Sequence, residues 1–185
     1  MAQEIPPNVA LFVQGKIINK VLGDALEAHK HTSNPFFMKK HGHPTIIVFA
    51  FPGTWSVGDW FSTGQGGAGK FGEININSSL DVFPSIRTIG NSEFASVNDA
   101  FLRRFSSILE ELREKVKGAM KRKRQIIFTG HSGGGPIAIY ATVWLLEHLK
   151  NGGETKTQVP LPLCLTFGSP LIADGIFGHA LRREN

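Results

Sequence analysis

Ser132 lies in Gly130-His131-Ser132-Gly133-Gly134, a G-x-S-x-G run between the apolar stretch QIIFT and the stretch GPIAIYATVWLLE. A serine held on a strand-to-helix turn between glycines presents its hydroxyl for attack on an acyl carbon. Such a turn is sharp, so side chains at Gly130 and Gly134 would clash, and the hydroxyl is lifted clear of the sheet edge. The helix that follows aims its unpaired NH groups, beginning with Gly133, at the place where an oxyanion would develop. Pro136 suits the first helical turn, where no NH partner is lost. Thr54, in FPGTWS after the earlier apolar run, is the candidate second oxyanion donor through its backbone NH. FPGTWS alone is weak, because Pro-Gly turns after strands are common, but the two loops reinforce each other.

The rest of the chain supplies elements to position these groups. From Val9 to His29 apolar residues recur at Val13, Ile17, Val21 and Ala25, which predicts a helix, and Asn34-Pro35 breaks the chain after it. PTIIVFAF (Pro44 to Phe51) is a continuous β-branched run, as in a strand covered on both faces. A glycine-rich loop runs from Pro52 to Lys70, and FGEINI and DVFPSI read as short strands. Ser96 and Asp99 form an S-x-x-D capping box ahead of a long helix whose stripe is Phe101, Phe105, Ile108, Leu109, Leu112, Val116 and Met120. QIIFTG is a second buried strand, GPIAIYATVWLLEHL a helix apolar on nearly every side, and LPLCLTFG a third strand. A short helix begins near Leu171. Strands alternating with helices predict an α/β fold with a mainly parallel sheet and helices on both faces.

Composition narrows the function classes. The 185 residues suffice for one domain with a sizeable core, and the net charge is +5. No apolar run approaches the roughly 18 residues of a membrane span, and MAQEIPPNVA lacks the basic and leucine-rich regions of a secretory signal, so a cytoplasmic or nuclear protein is expected. The one cysteine, Cys164, sits in LPLCLTF as a small hydrophobe. Lys121, Arg122, Lys123 and Arg124 form a candidate nuclear-import signal, with complementation of the helix dipole as the plainer reading. No aromatic residues interleave these charges, so direct nucleic-acid binding is not expected. Gly64 to Lys70 fits G-x-x-x-x-G-K, but Phe71 stands where a phosphate loop needs Ser or Thr, and a flexible loop is the better reading. His29, His31, His41 and His43 lack Cys or carboxylates at ligand spacing and are expected on a solvated surface. His131 is expected to point away from the serine, into packing or a backbone hydrogen bond. No cofactor and no metal is expected.

FPGTWSVGDWF, GHSGGG and LTFGSPLIADGIF, in this order, resemble the class 3, fungal-lipase-type branch of the α/β-hydrolase fold. Within it, KFGEININ, IRTIGNSEFASVNDAFLRRF, RKRQIIFTGHSGGG, ATVWLLE and TFGSPLIADGIFGHALRRE are similar to the N-terminal domain of the plant lipase-like immune proteins typified by enhanced disease susceptibility one. The resemblance implies a noncatalytic scaffold in plant defence signalling, present in cytoplasm and nucleus, that forms heterodimers with related lipase-like proteins. Whether such a protein binds a lipid ligand is not implied. The alternative it leaves open is a serine esterase or lipase acting on acyl esters when full length.

A working hydrolase of this fold needs an acid and a histidine after the serine, in the order Ser, Asp, His. The residues after Ser132 are used by a helix, a loop, a strand and a short helix. The resemblance places the acid and histidine in loops beyond them. Residues 1–185 therefore read as the N-terminal portion of a lipase-like domain, ending before the expected Asp and His. Asp174 and His179 have the right order, but five positions on a helix separate them by about 140° around the axis, so they are not expected to converge on one serine.

Overall fold

The computed structural model describes residues 16–31, 33–42, 46–53, 73–75, 83, 88–89, 93–151 and 159–184. In chain order the elements are α1 (Lys16–Ala28), a 3-10 turn (His29–His31), β1 (Phe37–His41), β2 (Ile46–Phe51), β3 (Glu73–Asn75), β4 (Thr88–Ile89), β5 (Glu93–Phe94), β6 (Ser96–Asn98), α2 (Asp99–Lys121), β7 (Gln125–His131), α3 (Gly134–Lys150), β8 (Leu163–Phe167) and α4 (Gly175–Glu184). The main sheet has the order β1-β2-β7-β8, and β3-β6 and β4-β5 form two small ribbons. β2, β7 and β8 are parallel, whereas β1 runs antiparallel along β2 with Phe37 opposite Ala50 and His41 opposite Ile46. The sheet is thus mixed but mostly parallel, as the alternation of elements predicts.

Every residue of β2 is buried, and β7 is buried from Gln125 to Gly130. Alternation sorts these side chains between two cores. Ile46, Val48 and Ile127 meet Val21 of α1 on one face, flanked by Ile17, Leu163, Leu165 and Phe167. Ile47, Phe49, Phe51, Ile126 and Phe128 face α2, α3 and α4 on the other. On that side Phe105 of α2, Tyr140 of α3 and Phe177 of α4 all meet Phe83, with ring centroids 5.7 to 6.4 Å apart. Each such aromatic pair adds about 0.5–1.5 kcal/mol beyond area burial, so the cluster welds three helices to one another.

The sheet ends differently at its two sides. β1 carries exposed Met38, Lys39 and Lys40, and lysines on an edge strand discourage pairing with another chain. β8 is half-buried throughout.

Several local details depart from the sequence reading. The strand β1 was not expected, because FMKKH has neither apolar alternation nor a buried run. The S-x-x-D box does not form: Ser96 belongs to β6, paired with Asn75, and Asn98 caps α2 by accepting from the Phe101 NH at 3.1 Å. Pairing with β3 extends the backbone at Ser96, which moves the helix start two residues on. α1 is described from Lys16, so the expected helical turns from Val9 to Gln14 lie outside the described residues. Of DVFPSI only Phe83 is described, as a core residue and not in a strand.

Candidate functional site

At the C-terminal edge of the sheet β7 turns directly into α3. Ser132 occupies this turn with φ +52°, a left-handed conformation that costs an ordinary L-residue about 1–2 kcal/mol. Its backbone is fixed on both sides: its NH donates to the Phe167 carbonyl at 2.9 Å, and its own carbonyl accepts from the Gly135 NH at 2.9 Å. A Cβ on Gly130 would meet the Gly134 carbonyl, and one on Gly134 would meet the Phe51 carbonyl. The turn therefore presses against backbone on both flanks. Gly133 follows at φ −60°, ψ −11° as the N-cap of α3, so its NH stands at the positive end of a 17-residue helix.

The loop after β2 approaches the same turn. Arg104 of α2 donates from Nη2 to the Pro52 carbonyl at 2.6 Å. The His29 ring and the His131 carbonyl crowd Gly53, so that a Cβ there would strike His29. Thr54, the candidate second donor, lies outside the described residues, as does the Gly64 to Lys70 loop.

The His131 side chain packs against another histidine ring. Its Nδ1 lies 2.9 Å from His29 Nε2, with the rings edge to face at 5.0 Å. Burial first, then the neighbouring His131 and Arg104, hold the His29 pKa below the ordinary histidine value. Nothing in the spacing announces this pair, because its members come from α1's end and β7.

Of the other histidines, His41 departs from the expected solvated surface. His41 and Lys39 both engage Asp24, which is 1% exposed, and Lys39 Nζ is 3.0 Å from its Oδ1. A buried carboxylate needs a cation and hydrogen-bonding partners, and the fold of β1 over α1 brings the Lys39 ammonium and the His41 ring. His31 is exposed, stacks on Phe37 at 5.8 Å and lies 3.6 Å from Glu27. His43 lies outside the described residues. Among the described residues no group of three or more His, Cys, Asp or Glu side chains is arranged to hold a metal.

Asp174 is committed elsewhere. Its Oδ2 accepts from the Ser96 NH at 2.9 Å and its Oδ1 from the Phe177 NH at 2.8 Å, so it caps α4 and ties it to β6. His179 is exposed on α4. Burial pushes the Cys164 thiol up, in keeping with a packing role.

The run Lys121 to Arg124 ends α2. Lys123 takes φ +50°, its NH donates to Met120 at 2.8 Å, and the Arg124 NH reaches back to Ala119 at 3.2 Å. This is the Schellman pattern, with a lysine where glycine is usual. Lys121, Arg122 and Lys123 are exposed. Among the described residues no helix is long and apolar enough to cross a membrane.

Residues 48–185 match the family model described as Lipase (class 3). The chain is 37% identical to Protein EDS1 of Arabidopsis thaliana over 169 residues, which is 88% of this chain and 26% of that protein. It is 31% identical to Senescence-associated carboxylesterase 101 of the same plant over 113 residues, 60% of this chain and 20% of that one. The chain thus spans about a quarter of the length of the curated relatives it matches. The native Rhizomucor miehei lipase propeptide complex superposes with a TM-score of 0.55 at 15% identity, covering 91% of this chain and 58% of that one, which is a likeness of fold. A mostly parallel sheet with helices on both faces, a serine held on the turn between β7 and α3, and a family match over most of the sequence agree: the chain belongs to the class 3 lipase family.

Proposed function

We propose that this chain is the lipase-like part of a plant immune regulator and serves as a noncatalytic scaffold for defence signalling. The observation that carries this reading is the identity to Protein EDS1 over 88% of the chain. The site is compatible with it. Asp174 spends both carboxylate oxygens on backbone NH groups, and His179 faces solvent, which supports leaving Ser132 without a base. The partners are related lipase-like plant proteins, taken up as a heterodimer. The protein works without a cofactor in cytoplasm and nucleus, with Lys121, Arg122, Lys123 and Arg124 as the import signal. An import receptor that reads them as an extended peptide must first unwind the last turn of α2.

The test is complementation. Arabidopsis plants lacking EDS1 receive the complete coding sequence of this protein or its Ser132→Ala form, and pathogen growth is scored. Equal restoration of resistance by both is expected. Resistance restored only by the form with Ser132 would overturn the noncatalytic reading.

One observation favours a second reading, a serine esterase acting on acyl esters. Ser132 keeps its left-handed φ beside the NH of Gly133 at the start of α3. In that case Ser132 attacks the ester carbonyl, and Gly133 and Thr54 donate to the oxyanion. Stoichiometric labelling by a fluorophosphonate that disappears in Ser132→Ala would support it. We expect no labelling, and no turnover of a short-chain nitrophenyl ester, by residues 1–185.

A further inference from the structure

The topology sorts charge toward the edge of the sheet opposite Ser132. Both α2 and α3 return from the C-terminal edge of the strands to the N-terminal edge, so their C-termini end on the same side of the molecule. α2 delivers exposed Lys121, Arg122 and Lys123 there, and α3 delivers exposed Lys150. β1 adds exposed Lys40, because its antiparallel register sets Lys40 opposite Ile47 and His41 opposite Ile46, the first residue of β2. Ile46 in turn pairs with Gln125, which follows Arg124. Lys40 is thus brought to the edge where the run 121–124 enters β7, although about 80 residues separate them in the chain.

Among the described residues α2 has no carboxylate after Glu114, and Asp24 is engaged by Lys39 and His41. Complementing the dipoles of two helices accounts for cations at the ends of α2 and α3. It does not account for Lys40 on a strand.

A second, independent feature sits on the same edge. The Leu161 carbonyl accepts from Gln125 Nε2 at 2.7 Å, which fixes this residue beside the start of β7, and its side chain is 66% exposed. A leucine held out to solvent next to a basic rim combines the two elements of interfacial attachment, apolar insertion and attraction to anionic headgroups. No exposed aromatic side chain lies among the described residues of this edge to stack on bases, which sets nucleic acid behind a lipid surface.

We propose that the N-terminal edge of the sheet docks on an anionic phospholipid bilayer, with Lys40, Lys121, Arg122 and Lys123 against the headgroups and Leu161 entering the interface. The rim then turns the Ser132 edge away from the membrane.

The test is cosedimentation of the complete protein with vesicles of phosphatidylcholine alone or phosphatidylcholine with phosphatidylserine, at low and at high salt. Binding is expected only to the phosphatidylserine vesicles, and it should weaken steeply with salt. Replacing Lys121, Arg122 and Lys123 together by Gln should weaken it by about a hundredfold. Replacing both lysines by Arg should leave it unchanged, which separates charge from any damage to the helix end. Leu161→Ser should weaken binding by about tenfold while keeping the salt dependence. Undiminished binding by the folded triple-Gln protein would overturn the proposal. Retention of a DNA duplex by this rim with no vesicle partition would overturn the lipid assignment.

Discussion

His29 Nε2 and His131 Nδ1 stand 2.9 Å apart, joining the end of α1 to the residue before Ser132. One ring must donate and the other accept, so the pair tolerates one added proton and not two. His29 is held below its ordinary pKa, by burial first and then by His131 and Arg104. The folded state therefore binds fewer protons than the unfolded chain near pH 6.5, and stability must rise with pH through that region. The contribution is complete above the unfolded value and is lost as pH falls through the lowered one. The midpoint of thermal unfolding should fall between about pH 7 and 5, and more gently in His29→Gln. Identical slopes in the two proteins would show that the pair does not couple to folding.

Ser132 and Lys123 share a left-handed φ, +52° and +50°. Glycine adopts it without strain but gives the unfolded chain more freedom, so Ser132→Gly and Lys123→Gly should each stabilise by about 0.5 to 1 kcal/mol. Urea unfolding of the two variants measures this. A gain at Lys123 without one at Ser132 would mean that the serine hydroxyl makes a compensating contact.

Gly134 has no such latitude. A Cβ there meets the Phe51 carbonyl, and the β2 backbone cannot withdraw without breaking its ladder to β7. Gly134→Ala should cost about 3 kcal/mol in urea unfolding, whereas Gly118→Ala inside α2, where nothing lies within 4 Å, should stabilise by about 0.5–1 kcal/mol.

Asp174 ties α4 to β6 through two backbone NH groups. Asp174→Ala removes a helix cap and leaves the Ser96 NH in a half-buried ribbon, a loss of about 2–4 kcal/mol. Asp174→Asn should recover about half of it, since the amide oxygen can accept only one of the two. Neither residues 1–185 nor these variants should hydrolyse an ester; turnover that is present in the parent and selectively lost in Asp174→Asn at unchanged stability would assign Asp174 as a catalytic acid.

The elements that were legible from the sequence are those whose pattern is decided locally. Ile46–Phe51 is a run of buried apolar residues, Ile126–Phe128 within β7 is another, and α2 shows its stripe because one face meets a core and the other meets water. The Ser132 turn was legible because strand, glycines and helix lie within a dozen residues. β1 was not, since FMKKH is an edge strand exposed at Met38, Lys39 and Lys40 in succession, and its pairing is dictated by β2 rather than by its own pattern. The His29 partner of His131 and the Ser96 partner of Asp174 were equally hidden, since each is brought up by an element distant in the chain and no spacing records it.

The central strands β2 and β7 are neighbours in the sheet, yet about 75 residues of chain must be synthesised between them. At about 5–20 residues per second this leaves β2 without its parallel partner for roughly 4 to 15 s on the ribosome. During that interval six consecutive apolar residues can pair on one side only, with β1, while the other side of β2 stays open. The nascent chain is then most exposed to aggregation, and the lysines of β1 guard the outer edge of the hairpin at that stage. Translation speed between β2 and β7 should therefore set the yield of soluble protein more than the stability of the finished fold does.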